Sequence, residues 1–301
     1  MTDLRAEPLV RRSEQGGVLV ATLLIILMLI VLVNSMSAFV VNKYTVLAID
    51  DDAVELEALT LSGLESGVFK VLTTPPELAV TGSQIIHLAA GEISLTWIGE
   101  TARINLNLAT RDWIADVIKS VASPSDNPDA IADELEQRRI ATGMSEANAP
   151  SLSGRSGPLA HPSELLSLPG MTDRLFARLE PLVTLYTASA TIDPRLASEA
   201  LLATLPGMTE PRLRELLDLR LRDDADMTRI LEESGEARQF LDFAKGVTFR
   251  FRVEASLKNG TQLKTEIVAA LYPDDTEPYR VLYWSDTHSK ISKTTAKGKN
   301  T

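Results

Sequence analysis

The chain contains no cysteine, which excludes disulfide bonds and thiolate metal sites. It has only three histidines, His87, His161 and His288, and none has a partner at the spacing of a metal site. It also lacks a glycine-rich phosphate loop, a G-x-S-x-G turn and an H-E-x-x-H pair. Because the common motifs of nucleotide binding and hydrolysis are missing, we do not expect an enzyme.

Positive charge is scarce as well. The 301 residues include 30 Lys and Arg against 41 Asp and Glu, for a formal net charge of -11. Such a chain repels the phosphate backbone that supplies most non-specific affinity for nucleic acid. With 45% hydrophobic residues the chain can form one large or two modest domains. We therefore expect a folded protein that has no nucleic acid among its partners.

One apolar run dominates the N-terminal part. No charged residue occurs from Val18 to Asn42, and about 20 apolar residues span a bilayer as a helix. The core of a cleaved secretory signal is shorter, at about 7–15 residues. Arg11 and Arg12 precede the run and acidic residues 50–52 follow it, so the positive-inside rule predicts a cytoplasmic N-terminus and an exported remainder.

The residues before this run read RRSEQGG, with Gly16 and Gly17 directly against it. This arrangement resembles the leader of type IV prepilins, which a membrane peptidase cuts after the glycine. The resemblance implies cleavage between Gly17 and Val18. A glycine at that position leaves the backbone open enough to enter the active site of a peptidase.

Most pilin-like subunits carry glutamate at the fifth mature position, where this chain has Thr22. In that family the carboxylate is thought to neutralise the terminal amine of a neighbouring subunit, and a buried carboxylate without its partner is costly. The K-type pseudopilin, which typically lacks the glutamate, sits at the filament tip. The alternative is that the leader assignment is wrong and that Thr22 is only a hydroxyl residue tolerated in the membrane.

After the apolar run, hydrophobic residues recur at steps of three and four among acidic ones, which predicts an amphipathic continuation of the helix. These residues are Val46, Ile49, Ala53, Leu56 and Leu59. Gly63, Gly67 and Pro75-Pro76 mark its predicted end.

Five strands are predicted from short apolar runs, from period-two alternation and from turn residues. They cover Gln84–Ala90, Ile93–Ile98, Val247–Leu257, Leu263–Leu271 and Tyr279–Ser285, with a hairpin turn at Asn259-Gly260.

Between the strands, residues 109–243 are predicted to be helical and contain a repeat. Glu164–Thr172 reads ELLSLPGMT, and Ala200–Thr209 reads ALLATLPGMT. Each copy predicts a short helix, a Pro-Gly hairpin and a second helix. One interpretation is a DNA-binding helix-hairpin-helix, whose turn offers backbone N–H groups to a phosphate. The other is a hairpin used for packing or partner contact, which the acidic residues Asp173, Glu199 and Glu210 favour.

An acidic cluster follows, formed by Asp223, Asp224 and Asp226. Carboxylate oxygens are the ligands that calcium prefers, and some K-type pseudopilins bind calcium in their helical domain. The usual twelve-residue calcium loop is missing, so a solvated acidic run is the alternative. Calcium is the one cofactor candidate.

The stretch RINLNLA at Arg103–Ala109 resembles the one that leads into the inserted domain of K-type pseudopilins. A second such stretch in that family aligns with Thr191–Ala197, where both asparagines are replaced. The geometry of the second turn is therefore open. No single motif decides the assignment, but their order along the chain resembles a K-type minor pseudopilin of a type II secretion system.

The resemblance implies an α+β fold. A long pilin-like helix, half transmembrane and half amphipathic, packs on an antiparallel sheet that carries an inserted all-α domain with two helix-hairpin-helix (SAM-like) units. The implied segments are a leader (1–17), a transmembrane span (18–42), a helix with the first strands (43–108), a helical insert (109–243), C-terminal strands (244–287) and a disordered tail (288–301).

The implied function is a structural one. The chain would form, with other minor pseudopilins, the tip that initiates a pseudopilus for export of folded proteins. Expected partners are the I, J and H types, the major pseudopilin, the prepilin peptidase and inner-membrane lipid, with the C-terminal domain in the periplasm. The alternatives are a membrane-anchored helix-hairpin-helix protein that binds or takes up DNA, and an unprocessed periplasmic adaptor.

Overall fold

The computed structural model describes residues 14–75, 79–143, 158–221, 232, 234–243, 246–273 and 275–287, without the side chains of 14–21, 31–50, 141–143 and 287. The chain divides into two compact units, Met1–Glu55 and Leu56–Thr301. Helix α1, Glu14–Thr73, begins in the first unit and ends in the second.

The predicted membrane span lies within α1, and many of its side chains fall outside the described residues. Within the described part of the chain, no helix combines the length and the hydropathy of a membrane span. The span at 18–42 therefore stays a prediction.

The prediction that Gly63 and Gly67 mark the end of α1 is wrong. The helix continues through Gly63 and Gly67 and stops at Thr73, just before Pro75. A Cβ at Gly63 would lie 2.8 Å from Val253 Cγ1, and one at Gly67 would lie 2.9 Å from the Phe251 ring. The glycines are therefore needed for close contact between the helix and the sheet.

The sheet contains five antiparallel strands, and each of them hydrogen-bonds to the next of the five along the chain. Both predicted hairpins and the third strand are confirmed, and Gly260 has a φ of +89° in its turn. The strands are β1 Thr81–His87, β2 Gly91–Gly99, β5 Thr248–Leu257, β6 Gln262–Leu271 and β7 Tyr279–Thr287. One face of the sheet packs on the buried residues of α1, which include Leu59, Leu64 and Val68.

Between β2 and β5 the chain forms a mostly helical insert with its own core around Trp113, Leu175 and Leu201. Its α-helices are α2 Arg111–Val121, α3 Pro128–Gly143, α4 Asp173–Leu179, α5 Glu199–Leu202 and α6 Glu210–Arg220. The insert is not purely α-helical. It includes 3-10 helices, such as Glu100–Ala102, Pro162–Ser167 and Gly235–Phe240, and one parallel pair, β3 Ile104–Asn105 with β4 Val183–Thr184.

Candidate functional site

Two turns of the insert, one at Asn105 and the other at Asp193, have similar hydrogen bonds. In the first, the side chain of Asn105 accepts a hydrogen bond of 2.8 Å from Asn107 N, and Ala109 N donates to Asn105 O at 2.9 Å. In the second, Asp193 accepts from Arg195 N at 2.9 Å, and the N–H four residues on again donates to its carbonyl at 2.9 Å. The replaced asparagines therefore leave the turn geometry intact, because either side chain supplies the accepting oxygen.

The second polar residue of each turn holds a distant segment. Asn107 makes two hydrogen bonds with the backbone of Leu159, of 2.8 and 2.9 Å. Arg195 donates to Phe243 O at 3.1 Å and pairs with Asp193. The two turns thus act as clamps on chain segments that are remote in sequence.

The first Pro-Gly turn packs inside the insert. Gly170 has a φ of +85°, and its neighbours Leu168 and Met171 are buried. Thr172 caps α4 by accepting a hydrogen bond from Leu175 N at 3.2 Å. The predicted helix before this turn is the 3-10 helix Pro162–Ser167.

The second Pro-Gly turn contacts a later segment of the insert. Gly207 has a φ of +76°, and a Cβ there would lie 2.8 Å from the Cβ of Glu236. Arg212 donates to Gly207 O at 3.1 Å, and its guanidinium lies against Gly235. The carbonyl of Gly207 and the guanidinium of Arg212 therefore form a hydrogen bond within the insert.

At the second hairpin, this environment favours the packing interpretation over the DNA interpretation. A DNA phosphate needs free backbone N–H groups and positive charge at the turn. Glu236 instead puts a carboxylate at the second turn, and the nearby cation, Arg212, bonds within the chain. The assignment as SAM-like helix-hairpin-helix units stays a prediction.

A buried charge network joins the insert to the sheet. Glu100, directly after β2, is fully buried and accepts hydrogen bonds from Arg250 Nε at 3.0 Å and Thr184 Oγ1 at 2.6 Å. Arg250 on β5 also pairs with Glu266 on β6, and Arg103 lies 3.5 Å from Glu100. Removing one member would leave other buried charges without partners.

Burial and the charge of Arg250 lower the pKa of Arg103 to about 10, against the opposing effect of Glu100. Burial also acts to lower the pKa of Arg250, but its bonds to Glu100 and Glu266 outweigh this and raise it. Both guanidinium groups therefore stay charged at neutral pH. Both carboxylates of the network, Glu100 and Glu266, pair with the Arg250 guanidinium, as expected of a structural joint.

An aromatic contact lies beside this network. The ring of Tyr283 on β7 lies 5.4 Å from His161 and 6.0 Å from Tyr186, measured between ring centroids. Both partners belong to the insert, and the Arg250 guanidinium lies 6.0 Å from the Tyr283 ring. Burial raises the pKa of Tyr186 to about 12, so this phenol is neutral at physiological pH.

The predicted processing and metal residues stay predictions. Gly17 and Val18 lie in α1 with side chains outside the described residues, and Thr22 is exposed on the same helix. Asp223, Asp224 and Asp226 lie outside the described residues. In the part of the chain that the structure describes, no three His, Asp or Glu side chains are grouped as metal ligands.

Sequence reasoning missed the Glu100 network because its members are far apart in the chain. Arg250 follows Glu100 by 150 residues. The available signal was weak: a single glutamate after the last residue of a strand, and arginines on the polar side of β5.

No protein-family model and no curated protein matches the chain. One similar solved structure is the crystal structure of the GspK-GspI-GspJ complex from the enterotoxigenic Escherichia coli type 2 secretion system. The match has a TM-score of 0.57 at 16% identity and covers 80% of this chain and 98% of the other chain. At this identity the likeness concerns the fold alone. The chain therefore has an α+β fold like that of a chain in the GspK-GspI-GspJ complex.

Proposed function

We propose that this chain is a K-type minor pseudopilin of a bacterial type II secretion system. The observation that carries the proposal is the order of its elements: a long helix packed on an antiparallel sheet, with a helical insert between β2 and β5. The likeness to a chain of the GspK-GspI-GspJ complex supports it, as do the glycine leader and Thr22.

In this role the protein assembles with other minor pseudopilins and needs no catalytic residue. The insert contains its own core, and the Glu100 network and the Tyr283 contact attach it to the sheet. A rigid mass of this size suits a subunit that caps a filament, because a repeating subunit needs room for the next copy above it. The N-terminal helix anchors the protein in the inner membrane, and Leu56–Thr301 lies in the periplasm.

The test is intact mass and N-terminal sequencing of the protein purified from its native membrane, with and without the prepilin peptidase. We expect a mature start at Val18 that depends on the peptidase. A chain that keeps Met1, or one cut beyond the apolar run, would overturn the proposal and favour the unprocessed adaptor.

A further inference from the structure

Strand β1 forms one edge of the sheet, and half of its backbone groups point away from β2. At one end of the pair Gly99 N donates to Val80 O, and at the other end Leu88 N donates to Gly91 O. Hydrogen-bonded and non-bonded residues alternate in an antiparallel pair. The outward backbone groups are therefore those of Thr81, Ser83, Ile85 and His87. Among the described residues, no backbone hydrogen bond outside the ladder reaches these groups.

The two edge strands differ in how they are protected against a further strand. Proteins usually protect an edge with a bulge, a proline, a lysine or other charged side chains. The β6–β7 pair has a register shift between Val268 and Ala269, and Arg280 on β7 forms an exposed ion pair with Asp275. The seven residues of β1 keep an unbroken register and include no lysine, arginine or proline, and Ile85 is 61% exposed. Strand β1 is therefore open to pairing with another strand.

A groove of about 400 Å³ lies beside this edge, on the sheet face away from α1. Its lining includes Thr81, Ser83, Thr96, Ile98, Arg250 and Arg252. The side chain of Ser83 lies on that face because Thr96, opposite it, alternates with the core residues of β2. A strand that pairs with β1 would therefore place every second side chain at the groove.

The groove has a surplus of positive charge, although the chain is acidic overall. Three cations and two carboxylates interact there, with a net charge of +1: Arg103, Arg250, Arg252, Glu100 and Glu266. The next carboxylate on this face, Glu254, pairs with Lys264. The Arg252 side chain is 60% exposed and donates to Glu266 through Nε at 2.9 Å. Within the described part of the chain its two terminal nitrogens have no partner, so they are available to an anion.

We propose that β1 binds an extended segment of another protein by strand addition, and that this segment has an acidic side chain that enters the groove. An added strand would lie about 4.8 Å from β1, so its carboxylate would enter on the Ser83 side and meet Arg252 across Thr96. A guanidinium matches a carboxylate with two parallel hydrogen bonds, and one carboxylate balances the surplus charge, whereas a phosphate dianion exceeds it. A second copy of β1 does not fit, because Thr81–His87 contains no acidic residue.

The test uses the full chain in detergent and two fluorescent peptides, TVTVEVTVT and TVTVQVTVT. In the extended form, the central side chain and the threonines lie on one face of each peptide and the valines on the other. We expect fluorescence anisotropy to show saturable binding of the glutamate peptide and about tenfold weaker binding of the glutamine peptide, because only the glutamate peptide pairs with the surplus charge.

Variants of the protein separate the charge from the backbone, and thermal unfolding by circular dichroism checks that each one is folded. Arg252→Gln should weaken binding of the glutamate peptide about tenfold and leave that of the glutamine peptide unchanged. Arg280→Gln is the matched control and should change neither, because Arg280 is 58% exposed on the same face but at the opposite edge. Ser83→Pro removes an outward N–H and spares the bonds to β2, so it should abolish binding of both peptides. Ser83→Ala keeps that N–H and should retain binding.

Several results would overturn the proposal. If neither peptide binds, or if both bind equally well, the groove does not select an acidic strand. If N-acetylglutamate amide binds as tightly as the glutamate peptide, or if folded Ser83→Pro still binds, strand addition is wrong. If the peptide TGSQIIH binds as tightly as the glutamate peptide, the occupant is a second copy. None of these results depends on cleavage before Val18, so the proposed function stands or fails separately.

Discussion

At the scale of single residues, Glu100 is the side chain whose loss should cost most. It has no exposed surface and accepts hydrogen bonds from Arg250 and Thr184. Glu100→Ala would leave two buried guanidinium groups without their main partner, so we expect a loss of about 3–5 kcal/mol in the free energy of unfolding. Urea unfolding followed by tryptophan fluorescence measures the change.

The control for this prediction is Glu254→Ala. Glu254 pairs with Lys264 at 2.8 Å, but both side chains are about half exposed, at 52% and 43%. An exposed pair of this kind contributes at most about 1 kcal/mol. Equal losses in the two variants would show that the Glu100 network does not act as a buried joint.

Asp193 and Arg195 form the second residue-scale prediction. Asp193→Asn keeps an oxygen that accepts from the backbone N–H of Arg195, but it removes the charge that pairs with the guanidinium. Changing Arg195 to Asn at the same time recreates the Asn-x-Asn pattern of the first turn. We therefore expect the double variant to be more stable than the sum of the single changes predicts, with a coupling of about 1–2 kcal/mol.

A double-mutant cycle from urea unfolding measures this coupling. Asp193→Ala, which removes both the turn acceptor and the charge, should be less stable than Asp193→Asn. Strictly additive single changes would mean that the pair of Asp193 and Arg195 does not contribute to the stability of the clamp.

At the scale of elements, the glycines of α1 give a prediction that runs against helix propensity. Gly to Ala inside a helix normally stabilises it by about 1 kcal/mol. At Gly63 the added Cβ would lie 2.8 Å from Val253 Cγ1 and 3.0 Å from Ile93 Cγ2. Because the sheet would have to move, we expect Gly63→Ala and Gly67→Ala to destabilise the protein by about 1–3 kcal/mol.

Ser62→Ala is the comparison within the same helix. Ser62 is exposed, and its hydroxyl bonds back to Ala58 O at 2.8 Å. This change should alter stability by at most about 0.5 kcal/mol. A thermal unfolding series would contradict the packing argument if the glycine variants were as stable as Ser62→Ala.

The elements differ in how far the sequence predicts them, according to how local their causes are. The alternation along β5 and the Asn259-Gly260 turn are local signals, so the second hairpin follows from the sequence alone. Gly63 and Gly67 look like helix ends because the sheet that requires them is distant in sequence. The sequence predicts a short helix before the first Pro-Gly turn but not its type. The structure has the 3-10 helix Pro162–Ser167 there, because tertiary packing decides the form of so short a piece.

In the candidate site, too, the sequence predicts the features with local causes and misses those that join distant residues. The first turn, at Asn105, and both Pro-Gly turns stand out in the sequence as short motifs. The joint between Glu100 and Arg250 does not, because 150 residues separate its members. The preserved geometry at Asp193 also needed the structure, since the replaced asparagines left the geometry of this turn open in the sequence.

At the scale of the whole molecule, the insert and the sheet belong to one compact unit, Leu56–Thr301. Glu100, Arg250 and Tyr283 connect them through both charge and aromatic contacts. A unit joined in this way should unfold in one cooperative step even though each part has its own core. The acid sensitivity of two glutamates, one in each part, can test this.

Glu266 lies in the sheet and Glu164 in the insert. Burial acts to raise the pKa of Glu266, but the charge of Arg250 and hydrogen bonds from Arg252 and Arg250 outweigh it and lower the pKa. Burial likewise opposes the hydrogen bonds that Glu164 accepts from His161 N, Ala160 N and Arg138, and the net pKa is again lowered. A carboxylate with a lowered folded pKa contributes stability above the unfolded value of about 4.3, and this stability is lost as the pH falls through the folded pKa.

The last prediction combines these two groups. Glu266→Gln and Glu164→Gln should each lower the melting temperature at pH 7 and should each flatten its fall below about pH 4.3. If Leu56–Thr301 unfolds as one unit, both variants shift the same single calorimetric transition. The double variant should then show the sum of the two shifts, because the two glutamates share no hydrogen-bond partner. Two transitions, with Glu164→Gln moving only one of them, would mean that the insert melts independently and that the Glu100 network does not couple it to the sheet.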